Sequence, residues 1–134
     1  MAKEYVIEGT RVSSLETFYD EISRVLVPGQ VWGRNLDALD DILRGGFGTP
    51  SEGFVLRWRD ADASRHSLGH AETVRQLQIR LEHCHPSNRA HVQRALSLAQ
   101  AGQGETVFDW LVEIVLDHGD SGAQRQDHVS LLLE

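Results

Sequence analysis

Trp32-Gly33-Arg34-Asn35-Leu36-Asp37-Ala38-Leu39-Asp40-Asp41-Ile42-Leu43-Arg44-Gly45-Gly46 reads as a loop that enters a short helix and then stops. At about 100° per residue, Leu36, Leu39 and Leu43 fall on one face with Ile42 beside them, the pattern of a helix that buries one side. Asn35 is placed to cap its N-terminus, and Gly45-Gly46 to close it. Asp37, Asp40 and Asp41 stand at i, i+3 and i+4 on the other side, where like charges repel by roughly a few tenths of a kcal/mol. The macrodipole supports Asp37 in the first turn and helps Asp40 and Asp41 less. Aspartate is also a mediocre helix former, so stability alone does not account for the cluster. Two readings stand side by side: an ordinary solvated face, and an acidic surface aimed at a basic partner.

Upstream, Ser13 or Ser14 is placed to cap a helix whose apolar residues Leu15, Phe18, Tyr19, Ile22, Val25 and Leu26 keep the i, i+3, i+4, i+7 spacing; Val27-Pro28-Gly29 ends it. Three short apolar runs read as strands: Tyr5-Val6-Ile7, then Gly53 to Trp58 after the Thr49-Pro50-Ser51 turn, and His128 to Leu133 at the C-terminus. No two-residue hairpin turn joins them. Helical stretches of a dozen or more residues separate them, which favours parallel pairing through right-handed crossovers. Between the second and third runs, Ala71 to about His83 carries Val74, Leu77 and Leu81 on one face. Pro86-Ser87-Asn88 interrupts before a second helix with Val92, Ala95, Leu96 and Ala99, so the two predict a helical hairpin. After Gly102-Gln103-Gly104, the segment from Glu105 to about His118 is dense enough in apolar residues to be the most buried helix, and Gly119 to Gln126 is expected to be a mobile polar loop. The expectation is an α/β fold with a small parallel sheet.

With 134 residues, the chain fits a single domain spanning 1–134. Hydrophobic residues make up 40% and charged residues 25%, the balance of a soluble globular protein. No stretch approaches the roughly 18 apolar residues of a membrane span, so no membrane partner is expected. Met-Ala-Lys-Glu leads directly into the first strand without an apolar leader, and the single Cys84 forms no internal disulfide; both point to the cytoplasm. A formal net charge of -7 argues against direct nucleic-acid binding and in favour of a basic protein partner. His83, Cys84, His85 and His91 match no standard zinc spacing, so no metal is expected. The chain carries no Gly-x-Ser-x-Gly, phosphate loop, His-Glu-x-x-His or dinucleotide fingerprint, so neither an enzyme nor a cofactor is expected.

The run from Trp32 to Leu43, followed by Gly45, resembles the barstar family of intracellular ribonuclease inhibitors, whose pattern is aromatic-Gly-x-Asn-Leu-Asp-Ala-Leu-Trp-Asp-x-Leu. Val6 to Gly9 with the helix after it, Phe54 to Trp58, and Glu105 to Glu113 extend the resemblance over most of the chain. It implies a three-stranded parallel sheet packed by helices, with the hairpin, at approximately residues 70–103, added between the second strand and the last long helix. It also implies that the acidic helix and its preceding loop plug the active site of a basic, secreted or toxin-type ribonuclease, as a monomer in a 1:1 complex. By that resemblance Asp37 and Asp41 match the carboxylates that stand in for RNA phosphate, and Glu113 matches an additional acidic contact. Trp32, Arg34, Asn35, Asp40 and Gly45 complete the implied partner-binding set. Trp32 reads either as a loop anchor or as a core-packing aromatic beside Gly33. The chain departs from the family at Val31, where an aromatic is frequent, and at Asp40, where a Trp is frequent, so a different and more basic partner surface is expected. A basic partner that is not a ribonuclease is the alternative.

Overall fold

The computed structural model describes residues 3–45, 47–50, 52–119 and 122–134. Gly46, assigned above to the helix stop, and Ser51, assigned to the turn before the second strand, therefore lie outside the described residues. Strands β1 (Lys3–Glu8), β2 (Phe54–Arg59) and β3 (Val129–Leu133) form one parallel sheet in the order β1-β2-β3. Tyr5 registers with Leu56 and Leu56 with Leu131. Strands that advance in one direction through right-handed crossovers deliver their helices to the same face. Burial follows that rule: Ile7, Phe54, Leu56, Trp58 and Val129 are buried, while Val55, Arg57, Ser130 and Leu132 alternate with them on the more open side. There Arg57 bridges the strands by pairing with Glu4 and Glu134.

The helices are α1 (Leu15–Val25), α2 (Leu36–Leu43), α3 (Ala61–Ser67), α4 (His70–His83), α5 (Arg89–Gln100) and α6 (Val107–Asp117). Ser14, not Ser13, caps α1, in a reciprocal box with Thr17. Helix α3 was not foreseen. It buries Ala61 and Ser64 and packs on the turn after β1; the Trp58 indole N–H donates to Ser64 Oγ at 2.9 Å, and that hydroxyl donates to the Gly9 carbonyl at 2.9 Å. A Cβ on Gly9 would lie 2.2 Å from the Arg59 carbonyl oxygen, so only glycine fits where this turn crosses the end of β2. In the loop after α6, expected to be mobile, Asp120 and Ser121 lie outside the described residues. The rest is tied down: the Gln124 amide donates to the Asp117 carbonyl at 2.7 Å, and a 3-10 turn, Arg125–Asp127, leads into β3.

Helices α4 and α5 form the expected hairpin around Leu77, Val92, Leu96 and Ala99, and Trp110 packs against both this cluster and the main core. The first turn of α4 does more than pack. Glu72 accepts the backbone N–H of Leu15 at 2.8 Å, at the start of α1, and Thr73 Oγ1 accepts that of Val107 at 2.9 Å, at the start of α6. Two helix N-termini thus find partners on the hairpin for donors they cannot satisfy internally. Burial pushes the Glu72 carboxyl up, but hydrogen bonds from Arg75, the Leu15 amide and Gln76 outweigh it and hold the group below its ordinary value. Glu21 does similar work between α1 and β1. Its buried carboxylate accepts the Glu8 amide at 2.8 Å and pairs with Arg24, and these contacts likewise lower it against the effect of burial. Among the described residues, no helix is long and apolar enough to cross a membrane.

Candidate partner-binding site

The loop between α1 and α2 is held from beneath. Of the two readings of Trp32, the ring takes the core position: it is only 8% exposed, meets Tyr19 edge-on with centroids 5.5 Å apart, and donates its indole N–H to Ser23 Oγ at 2.7 Å. The apolar side chain this loop presents to solvent is instead that of its neighbour Val31, 96% exposed. Arg34 adopts a left-handed backbone (φ 50°), and its guanidinium pairs with Asp20 and donates to Ser23 Oγ at 3.3 Å. Asn35 then caps α2 by accepting the Ala38 amide at 2.8 Å. At the other end Gly45, at φ 94°, donates to the Ile42 carbonyl at 3.0 Å, and Thr49 Oγ1 donates to the same oxygen at 3.1 Å.

Helix α2 buries Leu39, Ile42 and Leu43, and its three aspartates meet three different environments. Asp37 is exposed and has no hydrogen bond or ion pair among the described residues. Asp41, with 59% of its side chain exposed, pairs with Arg44 at 2.9 Å. Asp40 departs from the expectation of a solvent-facing third acid. Its side chain is 30% exposed, and Oδ1 lies 2.5 Å from Nε2 of His118, whose ring is fully buried. Gln124 donates to both Asp40 oxygens, at 3.2 and 3.4 Å, and Arg44 donates to Oδ2 at 3.1 Å. The physical reason is its angle on the helix: about 40° from Leu36, Asp40 sits at the margin of the apolar face rather than opposite it. What the family pattern fills with Trp is here a carboxylate spent inside the molecule.

Glu113 does not join this group directly. It is exposed on α6, in a surface cleft lined by Trp110, Asp117 and Gly122, and the Glu105 carboxyl lies near it. The neighbouring Glu105 carboxyl, some burial, and the charges of Asp109 and Asp117 raise its carboxyl above the ordinary value. A second cleft, of about 560 Å³, opens between α1, the start of α2 and α4; Asp37, Asn35 and Leu36 form one wall, and Gln76, Ile79 and His83 the other. The hairpin therefore borders the N-terminal end of the acidic helix. His118 and Gln124 carried no sequence signal for a role here, since their partner Asp40 lies more than seventy residues away in the chain, and Asp127 joins the group only through His118.

No group of three or more His, Cys, Asp or Glu among the described residues is arranged to hold a metal ion. Among curated proteins, none matches the chain closely enough to stand as a relative. The family model described as Barstar (barnase inhibitor) matches residues 2–134. That match spans essentially the whole chain and agrees with the three-stranded parallel sheet and six α-helices among the described residues, so the chain belongs to the barstar family of barnase inhibitors.

Proposed function

We propose that this chain binds a basic, secreted or toxin-type ribonuclease in a 1:1 complex in the cytoplasm, and blocks its active site with α2 and the loop before it. The observation that carries the reading is a pair of exposed carboxylates, Asp37 and Asp41, on a helix whose other side and both ends are fixed by the fold. A ribonuclease site is built to hold phosphate, and a carboxylate accepts paired hydrogen bonds from arginine in the same planar fork. Asp37 and Asp41 supply that charge without a scissile bond, so the nuclease is occupied and nothing is cleaved. Val31 extends the contact beyond the acids, and Glu113 adds a carboxylate from α6. Trp32, Arg34, Asn35 and Gly45 serve the site by shaping the loop and the helix ends. The net charge of -7 steers a cationic partner towards this surface.

The test is an RNA-degradation assay with candidate ribonucleases, first with the wild-type chain and then with Asp37→Ala, Asp41→Ala and the double variant. Each lost charge-assisted contact should cost about 1.5–3 kcal/mol, or roughly 10- to 150-fold in affinity. Association should also slow as salt rises. Undiminished inhibition by the double variant sinks the mechanism.

A further inference from the structure

We infer that Asp40 and Asp127, held on either side of the buried His118 ring, form a polar clamp that sets the rotation of α2 about its own axis, and so aims Asp37 and Asp41. The functional half of this statement rests on the inhibitor reading above; the structural half does not. His118 is completely buried, and each of its ring nitrogens faces a carboxylate oxygen: Nε2 to Asp40 Oδ1 and Nδ1 to Asp127 Oδ2, both at 2.5 Å. An ionised carboxylate only accepts, so the ring fits this position with an N–H on both nitrogens. A neutral imidazole would turn a lone pair towards one of the two acids. Gln124 and Arg44 supply further donors to Asp40, and Arg44 Nε donates to Gln124 Oε1 at 2.6 Å, which closes the network on its solvent side. With N–H groups on both ring nitrogens, His118 joins Arg44 in facing the two carboxylates of Asp40 and Asp127, and only the ring itself is fully buried.

Removing such ions from water is costly, and an apolar replacement of similar shape often gives equal or better stability. What the clamp supplies is direction. Helix α2 is eight residues long, held by the apolar face of Leu39, Ile42 and Leu43 and by its tied ends, and a polar anchor at the margin of that face adds a directional restraint on rotation. Asp40 stands at the margin of that face, one residue before Asp41 and three after Asp37. Fixing its carboxylate between α6 and β3 fixes all three angles at once. Side-chain tips lie roughly 5–6 Å from a helix axis, so a rotation of about 20° moves them by about 2 Å. Recognition by paired hydrogen bonds tolerates roughly 0.5 Å. Asp40, His118 and Asp127 are on this account positioning residues, and the aspartate found where the family favours Trp orients the site from within.

The ring of His118 can be read without any partner. In a long-range nitrogen–proton correlation spectrum of the wild-type chain at neutral pH, the clamp requires both ring nitrogens to be protonated; a single protonated nitrogen overturns it. Asp127→Asn, a near-isosteric change on the far side of the ring from α2, should alter residual dipolar couplings of the amides of residues 36–43 while leaving those of the sheet in place. Unchanged couplings in α2 also overturn the proposal. If Asp127→Asn does not fold, the wild-type ring spectrum decides alone. Towards a ribonuclease that the wild type inhibits, Asp127→Asn should bind about tenfold more weakly, and the loss should vanish in the Asp37→Ala/Asp41→Ala background. Additive losses overturn the aiming role. A wild-type chain that binds no ribonuclease defeats the inhibitor reading, while the spectrum and the couplings still judge the clamp.

Discussion

Replacing Glu72 with alanine should show how firmly the hairpin is built into the fold. The carboxylate accepts four donors: the Leu15 amide at 2.8 Å, Arg75 Nε and Nη2 at 2.7 and 2.8 Å, and Gln76 Nε2 at 3.1 Å. They are not equal. Arg75 and Gln76 also bond to Glu16 and reach solvent, so their loss costs roughly 0–1 kcal/mol. The Leu15 amide is buried, and with Glu72 truncated it loses its partner, at a cost of about 1–3 kcal/mol. Removing a buried methylene adds roughly 0.8 kcal/mol. The sum is about 3 kcal/mol, or near 10 °C in Tm for a chain of this length. Glu72→Gln keeps an oxygen for Leu15 and should cost only about 1 kcal/mol, chiefly from the Arg75 pair. Urea unfolding followed by tryptophan fluorescence measures both, with a constant m-value as the check that only stability has changed. Equal losses for Ala and Gln, or a loss below about 1 kcal/mol for Ala, would refute the claim that α4 caps α1.

Acid should destabilise the fold through the same carboxylates. Glu21 and Glu72 are held below their ordinary value of 4.5 in the folded chain, so their contribution is complete above that pH and is lost as pH falls through the lowered folded values. Chemical denaturation across pH 3–6 should show a steep acid limb in the wild type and a flatter one in Glu21→Gln and Glu72→Gln. Gly53→Ala should cost about 3 kcal/mol or more, because φ is +103° and the new Cβ would lie 2.3 Å from the His128 carbonyl oxygen; denaturation midpoints measure it. Trp32→Phe keeps the packing on Tyr19 but loses the bond to Ser23, and the same assay should give a loss of about 1 kcal/mol.

The elements that were legible in the sequence share one property: their pattern is local and large. The apolar stripe of α1 and the three short β-rich runs separated by helical stretches were enough to give a parallel sheet. Helix α3 escaped because its buried residues are Ala61 and Ser64, too small and too few to print a period. Thr106 and Asp109 make the cap of α6 that their spacing allows, whereas the caps from Glu72 and Thr73 join segments far apart in the chain. Asp40 is the instructive case. Its angle on α2 already set it nearer Leu36 than Asp41 is, but charge alone grouped it with the other two acids. Only the tertiary fold brings His118 beneath it, and no spacing rule reaches that far.

The acidic helix therefore solves its own electrostatic problem unevenly, and the unevenness bears on how it meets a cation. Three carboxylates within five residues repel, by roughly a few tenths of a kcal/mol per neighbouring pair. His118 and Arg44 both contact Asp40, Arg44 also answers Asp41, and Asp37 is left with the helix N-terminus alone. An incoming arginine meets no competitor at Asp37. At Asp41 it must displace Arg44 from a pair in which both side chains are about half exposed, and such pairs are worth roughly 0–1 kcal/mol. That exchange is cheap when the new pair is shielded from water, where the same contact is stronger. Arg44 then remains bonded to Asp40 and Gln124, so freeing Asp41 does not release the clamp that orients it.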